Sequence, residues 1–473
     1  MLVSLFTLTA GLFATAFAFD CHGPYFSFYN RPGKALSYDL LDPAIFPGTS
    51  SPHLHSFDGG NGLAADMDFD TTQSSSCTTA RLKPDKSLYW RPTLFWNGNN
   101  TGLYRVPDKF LKIYYKFGDA GNVRANVTEY PENHRMLAGY PAQRSLSANP
   151  GGLKWACLGE NYKRIDSPDG SFPKGFTSCK EGLTAEITFP ACWNGQSINP
   201  KSPHDHMAYP TNQGMSLEAC PKTHRVARFP SIFIEFWYDV SAFDDRYRAD
   251  QVPWVLANGD PTGYGFHADF LNGWQKGVLA KATAEAGFCN CGCGCGHDEM
   301  KQCFGADNVN DEGNWNSCTA GPVYAPDTSA PVDALPGCNP IQAGPAAATP
   351  VTGEGCAVMP ANGAGPSDVK ASSPVGSASR AAAFSVAFST SKPVVTNGHY
   401  ASASPSRSFD TMRHGNPANA YAMPTSILVP TSEEPNPIIT LPSLLVETVT
   451  VPTGGVEYGR KKHTGGHRHH RRF

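Results

Sequence analysis

Ser231-Ile-Phe-Ile-Glu-Phe-Trp-Tyr-Asp239 is the stretch on which the fold turns. Every second residue repeats a character: Ile232, Ile234, Phe236 and Tyr238 fall on one face, Phe233, Glu235 and Trp237 on the other. A period of two in β-branched and aromatic residues, with Pro230 in front, describes a strand with one buried side. Phe110-Leu-Lys-Ile-Tyr-Tyr-Lys-Phe117 and Leu183-Thr-Ala-Glu-Ile-Thr-Phe189 read the same way. Around them lie Gly, Pro, Asn and Asp clusters with no sustained 3.6-residue period, so the connections are loops. The expectation is a mainly β domain over 19–288, a sandwich or jelly roll with long loops, and a single helix from Asn272 to Ala286.

Both flanks differ in kind. Met1 to Ala18 is apolar and small, ending Ala16-Phe17-Ala18, which reads as a signal peptide and starts the mature chain at Phe19. No later run reaches about twenty apolar residues, so no membrane span is expected and the protein is placed outside the cell or in the wall. Fourteen cysteines suit an oxidising compartment. Six lie between Cys21 and Cys220 and eight between Cys289 and Cys356, so each group has an even number with which to close its own bridges. Residues 289–356, glycine-rich and poor in aliphatics, read as a small cross-linked unit. In Cys289-Asn-Cys-Gly-Cys-Gly-Cys295, disulfides are favoured over a soft-metal site. From 357 to 473 the chain is a Pro/Ser/Thr-rich tail expected to be disordered, with a basic, His-rich end where a lipid-anchor signal needs an apolar one. A net charge of −3 argues against a nucleic-acid binder. Asn99-Asn-Thr101 and Asn126-Val-Thr128 are glycosylation sequons.

Three short stretches carry paired or isolated histidines: Pro52-His-Leu-His55 before Gly59-Gly-Asn61, His204-Asp-His-Met-Ala-Tyr-Pro210, and Gly263-Tyr-Gly-Phe-His267-Ala-Asp269. With Ser76-Cys-Thr78, Asp85-Lys-Ser-Leu-Tyr-Trp90, His134-Arg-Met-Leu-Ala-Gly139, Phe189-Pro-Ala-Cys-Trp-Asn-Gly195, Cys220-Pro221 and Asn258-Gly-Asp260, they run in order along nearly the whole domain. In these segments the chain resembles the fungal secreted family known as domain of unknown function nineteen ninety-six, which implies a domain and no established activity. Ala80 stands where that pattern has a second cysteine, which leaves the bridging of Cys77 open.

Histidines at i and i+2 on a strand present both imidazoles to one side. His53, His55 and His204 are therefore candidate ligands for a divalent metal ion such as zinc, copper or manganese, with a further nitrogen or carboxylate from elsewhere. A second chemistry is metal-free acid–base catalysis on a polysaccharide, with His206 or His267 as base, Asp205 or Asp269 as carboxylate, and Tyr209 as an alternative base. Trp193, Trp237, Tyr264 and Trp274 are candidate sugar-stacking faces. The ligand class expected is cell-wall or plant polysaccharide. The same histidines would also serve as turn caps and buried hydrogen-bonding groups, which is the reading of a non-catalytic wall or surface protein.

Overall fold

The structure, a computed structural model, describes residues 23–98, 102–118, 123–167, 169–211, 217–291, 295–324, 330–337 and 339–351. The expected leader, the sequon at Asn99, Cys21, Cys293, Cys338, Cys356 and the 357–473 tail lie outside the described residues.

All three strands expected from alternation are present, as Asp108–Lys116, Gly182–Thr188 and Ser231–Tyr238. They form the middle of a six-stranded sheet ordered Tyr25–Tyr29, Asp108–Lys116, Ser231–Tyr238, Gly182–Thr188, Lys154–Leu158, Arg164–Asp166. A second sheet of five strands runs Ser37–Leu41, Ser50–Gly59, Leu88–Pro92, His267–Leu271, Arg135–Gly139. Pairing is antiparallel throughout both. Ile232, Ile234, Phe236 and Tyr238 are buried as the alternation requires, and they share one apolar core with Tyr89, Met136, Ala138, Ala268 and Phe270 of the five-stranded sheet. The fold is thus a mainly β sandwich, with two small three-stranded sheets at its margins.

Polar contacts cross the same core. Arg91, fully buried on the five-stranded sheet, is paired with Asp58 beside it and with Asp108 of the six-stranded sheet, and the Tyr38 hydroxyl donates to Asp108 at 2.6 Å. A neutral chain runs parallel to it: Trp274 Nε1 donates to the Tyr115 hydroxyl at 2.7 Å, that hydroxyl lies 2.6 Å from the hydroxyl of Tyr89, and Tyr89 donates to Asp85 at 2.8 Å.

The expected helix at 272–286 shrinks to Val278–Ala282. Asn272 donates to the carbonyls of Tyr130 and Pro131, Trp274 is sunk in the core, and Gly277 sits at φ 81°, so helical backbone begins only after it. Short helices at Phe69–Gln73, His297–Phe304 and Glu312–Ser317 had no strong periodic signal.

The cysteine-rich segment does not close its bridges separately. Cys289–Cys303 and Cys291–Cys295 are internal to it, but Cys318 is bonded to Cys77, and Cys157–Cys179 and Cys192–Cys220 complete the described set. Met300, Phe304 and Val309 belong to the sandwich core, with the Phe304 ring 5.2 Å from that of Phe26, and Trp315 donates its indole N–H to the carbonyl of Thr79. A segment too poor in aliphatic residues to build a core completes its burial on the larger one.

Two stability measurements check this account. Arg91→Met strands two buried carboxylates and lowers the urea-unfolding free energy by about 3–5 kcal/mol; a loss below about 1 kcal/mol refutes the clamp. Asp85, pushed up to about 7 by burial against its hydrogen bonds, keeps a proton that the unfolded chain releases near its ordinary value of ~4, so its contribution to stability declines as pH rises from 4 to 7. The stability of Asp85→Asn relative to wild type accordingly rises by a few kcal/mol over that interval, and a pH-independent difference contradicts it.

Candidate metal centre

The five-stranded sheet turns its second face away from the core, and register decides what stands there. His55 is opposite Asp39 and Pro92, Phe57 opposite Trp90, Trp90 opposite Asp269, and His267 opposite Gly139. Cross-strand partners share a face, so His55 and Asp269 meet on the side away from Tyr89 and Phe270. Gly139 is required at its place: φ is 87°, and a Cβ would lie 2.4 Å from the carbonyl oxygen of Phe266.

His53, His55 and His267 converge there, each at most 6% exposed, with one ring nitrogen apiece, all three within 4.8 Å of one another. His53 Nε2 and His267 Nε2 are 3.2 Å apart. Two imidazoles are oriented by the backbone: His55 Nδ1 lies 2.9 Å from the carbonyl of Leu41 and His267 Nδ1 lies 3.1 Å from that of Gly265. A carbonyl takes only a donated hydrogen, so each Nδ1 carries the proton and each Nε2 keeps its lone pair. The His55 Nε2 has no hydrogen-bond partner among the described residues.

Charge around the cluster favours neutral rings. Burial lowers all three imidazoles, His267 to about 4 and the other two well below the ordinary value, with the neighbouring rings and the Arg144 guanidinium adding to the effect. Asp269 is buried with Oδ2 4.0 Å from His267 Nε2, and neither of its oxygens has a hydrogen-bond partner among the described residues. Burial and the nearby Asp42 carboxyl raise it well above the carboxylate range; Asp42 itself is pushed up to about 7 by burial, against the amides of Ile45 and Ala44. Arg144 donates to the carbonyls of Pro141, Gln143, Asn258 and Gln342 and stands 3.7 Å from Asp260.

A strap from the C-terminal part of the described chain closes the edge beside His53. Gly337 bridges to His53, Asn339 donates to the Pro52 carbonyl, and Gln342 meets Arg144 and Gly259. Gly337, at φ 90°, would carry a Cβ 1.9 Å from the Pro52 oxygen, so the strap approaches this closely only with glycine there.

Residues 42–274 match the family model described as Domain of unknown function (DUF1996). Over that span the chain belongs to this family. The DUF1996 span takes in His53, His55, His267, Asp42 and Asp269, while Cys318 and the strap lie beyond it. No curated protein and no solved structure matches the chain significantly.

Within the DUF1996 span the remaining sequence candidates scatter. His204 packs against Tyr140, with the rings tilted by 43° and their centroids 4.7 Å apart, and borders the cluster without joining its three converging nitrogens. His206 is elsewhere: its Nε2 is 2.7 Å from the carbonyl of Arg135, and its ring centroid is 6.0 Å from that of His134. Asp205 is exposed and its carbonyl accepts from Asn194 and His224. Tyr209, whose pKa burial raises, donates to the carbonyl of Thr188 at 2.8 Å, which makes it a loop tie and a poor base. Trp274 and Trp237 pack against protein, the first among Phe26, Phe28 and Tyr115, the second on Phe110 at 4.9 Å. Tyr264 donates to Asp169 at 2.5 Å. Trp193 borders two open clefts, and Trp274 also lines the larger of them. The sequence reading missed Asp42 and Arg144, which carry no motif; only three-dimensional packing brings them to the histidines.

Asp269 offers a test that separates apo from loaded protein. With chelator present, raising pH from 6 to 9 forces ionisation of a buried carboxyl, so wild type loses stability relative to Asp269→Asn; with saturating zinc the carboxylate gains a counter-ion and wild type becomes the more stable of the two. Thermal unfolding of both proteins in both buffers reads this directly, and an order that ignores zinc refutes it.

Proposed function

We propose that this is an extracellular metalloprotein of the wall or cell surface whose His53, His55 and His267 hold one divalent transition-metal ion. The observation that carries the reading is the convergence of one ring nitrogen from each of three buried histidines, with the Nε2 of His55 and of His267 freed for coordination by Nδ1–H donation to the backbone. Adjacent ligand nitrogens of a tetrahedral zinc site, with Zn–N of 2.0–2.1 Å, are roughly 3.3 Å apart, against the 3.2 Å found between His53 and His267. Small side-chain rotations close the wider separations. The unpartnered Asp269 supplies compensating charge or a fourth oxygen ligand. Zinc fits three neutral imidazoles best; copper is the next ion by ligand type.

Burial favours a binding and structural role over turnover. With His55 fully buried and His53 and His267 at 6% and 2% exposure, a polymer does not reach the ion, which instead joins sheet, loop 42–45 and strap. Polysaccharide cleavage at these residues is correspondingly disfavoured, and any glycan contact belongs to the outer surface. Extracellular placement is supported by the signal-like first eighteen residues and by the five described disulfides.

Plasma mass spectrometry of the secreted, tag-free protein, dialysed against micromolar zinc and then against buffer, tests the reading. About one equivalent of metal is expected, falling below one tenth in His55→Ala and His267→Ala, and chelator should lower the melting temperature of wild type alone. At metal 100-fold above its dissociation constant the stabilisation is about 2.7 kcal/mol. Metal retained by both variants, or none in wild type, overturns the proposal.

A further inference from the structure

We propose that the groove passing Trp193 binds a chain of neutral pyranose sugars. Two adjoining clefts, of about 220 and 600 Å³, share Pro131, Glu132, Asn133 and Trp193. Together they reach the size of a typical ligand site. Trp193 stands at the junction, half-buried, and its ring is fixed on several sides. The preceding Cys192 is bonded to Cys220, the indole N–H donates to the Gln196 carbonyl at 2.7 Å, and the ring meets His134 edge-on at 6.1 Å and Phe229 at 5.8 Å. An indole held in place loses little conformational freedom when it takes a ligand.

The walls suit sugar hydroxyls. Glu129 and Glu132 line the larger cleft, with the Lys276 ammonium 3.4 Å from Glu132, and Gln196 and Ser197 line the smaller one. Inside the smaller cleft His134, only 5% exposed, has a buried Nε2 with no hydrogen-bond partner among the described residues, and burial lowers its pKa to about 3. A neutral imidazole nitrogen accepts a hydroxyl proton, or as the other tautomer donates to a hydroxyl oxygen. An indole face for the C–H side of a pyranose, edged by carboxylates and amides for its hydroxyls, is the combination a sugar needs. Glu129 and Glu132 are balanced by Lys276 and Arg135, so the groove carries no excess of positive charge to select a polyuronate or phosphate. The groove stands apart from the three clustered histidines, so it owes nothing to the metal.

Isothermal titration of the full secreted protein tests the assignment, with soluble β-1,3-glucan, cello-oligosaccharide and xylan as neutral probes and polygalacturonate as the acidic one. At least one neutral glycan is expected to bind, with affinity at least tenfold lower in Trp193→Ala and unchanged in Trp237→Ala and in the presence of chelator. Asn126→Gln is carried throughout, because Asn126 is an exposed sequon residue two positions from the cleft-lining Thr128 and its own glycan would compete. Should Trp193→Ala fail to fold, Ser197→Arg, at an exposed position, fills the smaller cleft without touching the core and must weaken binding equally. Preference for polygalacturonate, binding indifferent to the cleft substitutions, or no neutral glycan bound at millimolar concentration with or without the Asn126 glycan overturns the proposal. Loss of metal with glycan binding intact leaves it standing and removes only the metal reading.

Discussion

One buried guanidinium constrains both sheets. Arg91 pairs with Asp58 on its own sheet and with Asp108 on the other, so the ion triad fixes the height at which the sheets face each other. A slip of one residue in Leu88–Pro92 would turn Arg91 out of the core and Trp90 into it. The register that keeps Arg91 inside also holds Trp90 opposite Phe57 and Asp269 on the outer face. Placement of the histidine cluster therefore follows from a contact made on the opposite face of the sheet, by the strand that lies between the two histidine-bearing strands. Buried ion pairs contribute little net stability compared with apolar substitutes, and their stronger effect is to penalise every arrangement that leaves a charge alone.

Apolar alternation carried most of the fold. In Ser231–Tyr238 the four inward residues are the ones the period of two selects, because half-buried strands separate their faces by residue type. The strand Ser50–Gly59, Ser-Ser-Pro-His-Leu-His-Ser-Phe-Asp-Gly, was harder to read: both of its faces are covered, one by the core and one by loops, so polar residues stand buried on each. The helix at 272–286 failed for a related reason. Its spacing of Ala and Lys suited a helix, but Asn272 and Trp274 were claimed by contacts with residues 130, 131 and 115, far away in sequence.

The site was legible in part. His53 and His55 announced themselves by their spacing, and His267 by its place beside Asp269, but which third histidine joins the pair depends on strand order. The His267 strand lies two places from the His53 strand in one sheet, whereas His206 follows the short strand system of Trp193. Cys77 shows the same limit. Its partner is 241 residues away, in a segment that composition had set apart, and only the shared burial of Phe304, Val309 and Trp315 explains why the two cysteines meet.

Burial alone does not make histidines into ligands, and the two clusters of this domain show what does. At the trio, each of two rings has its Nδ1 hydrogen committed to a carbonyl, one ring nitrogen from each histidine converges on a common point, and a carboxyl without a hydrogen-bond partner among the described residues stands by. At the pair His134 and His206, the Nε2 of His206 is the nitrogen bound to a carbonyl, so its hydrogen is spent there and no lone pair from that atom faces His134. No carboxylate joins the pair among the converging groups of the described residues. One cluster therefore gathers nitrogens around a point and calls for a cation; the other leaves His134 Nε2 and His206 Nδ1 without partners among the described residues, and of the two residues only His134 lines the open cleft, where a hydroxyl is the better partner.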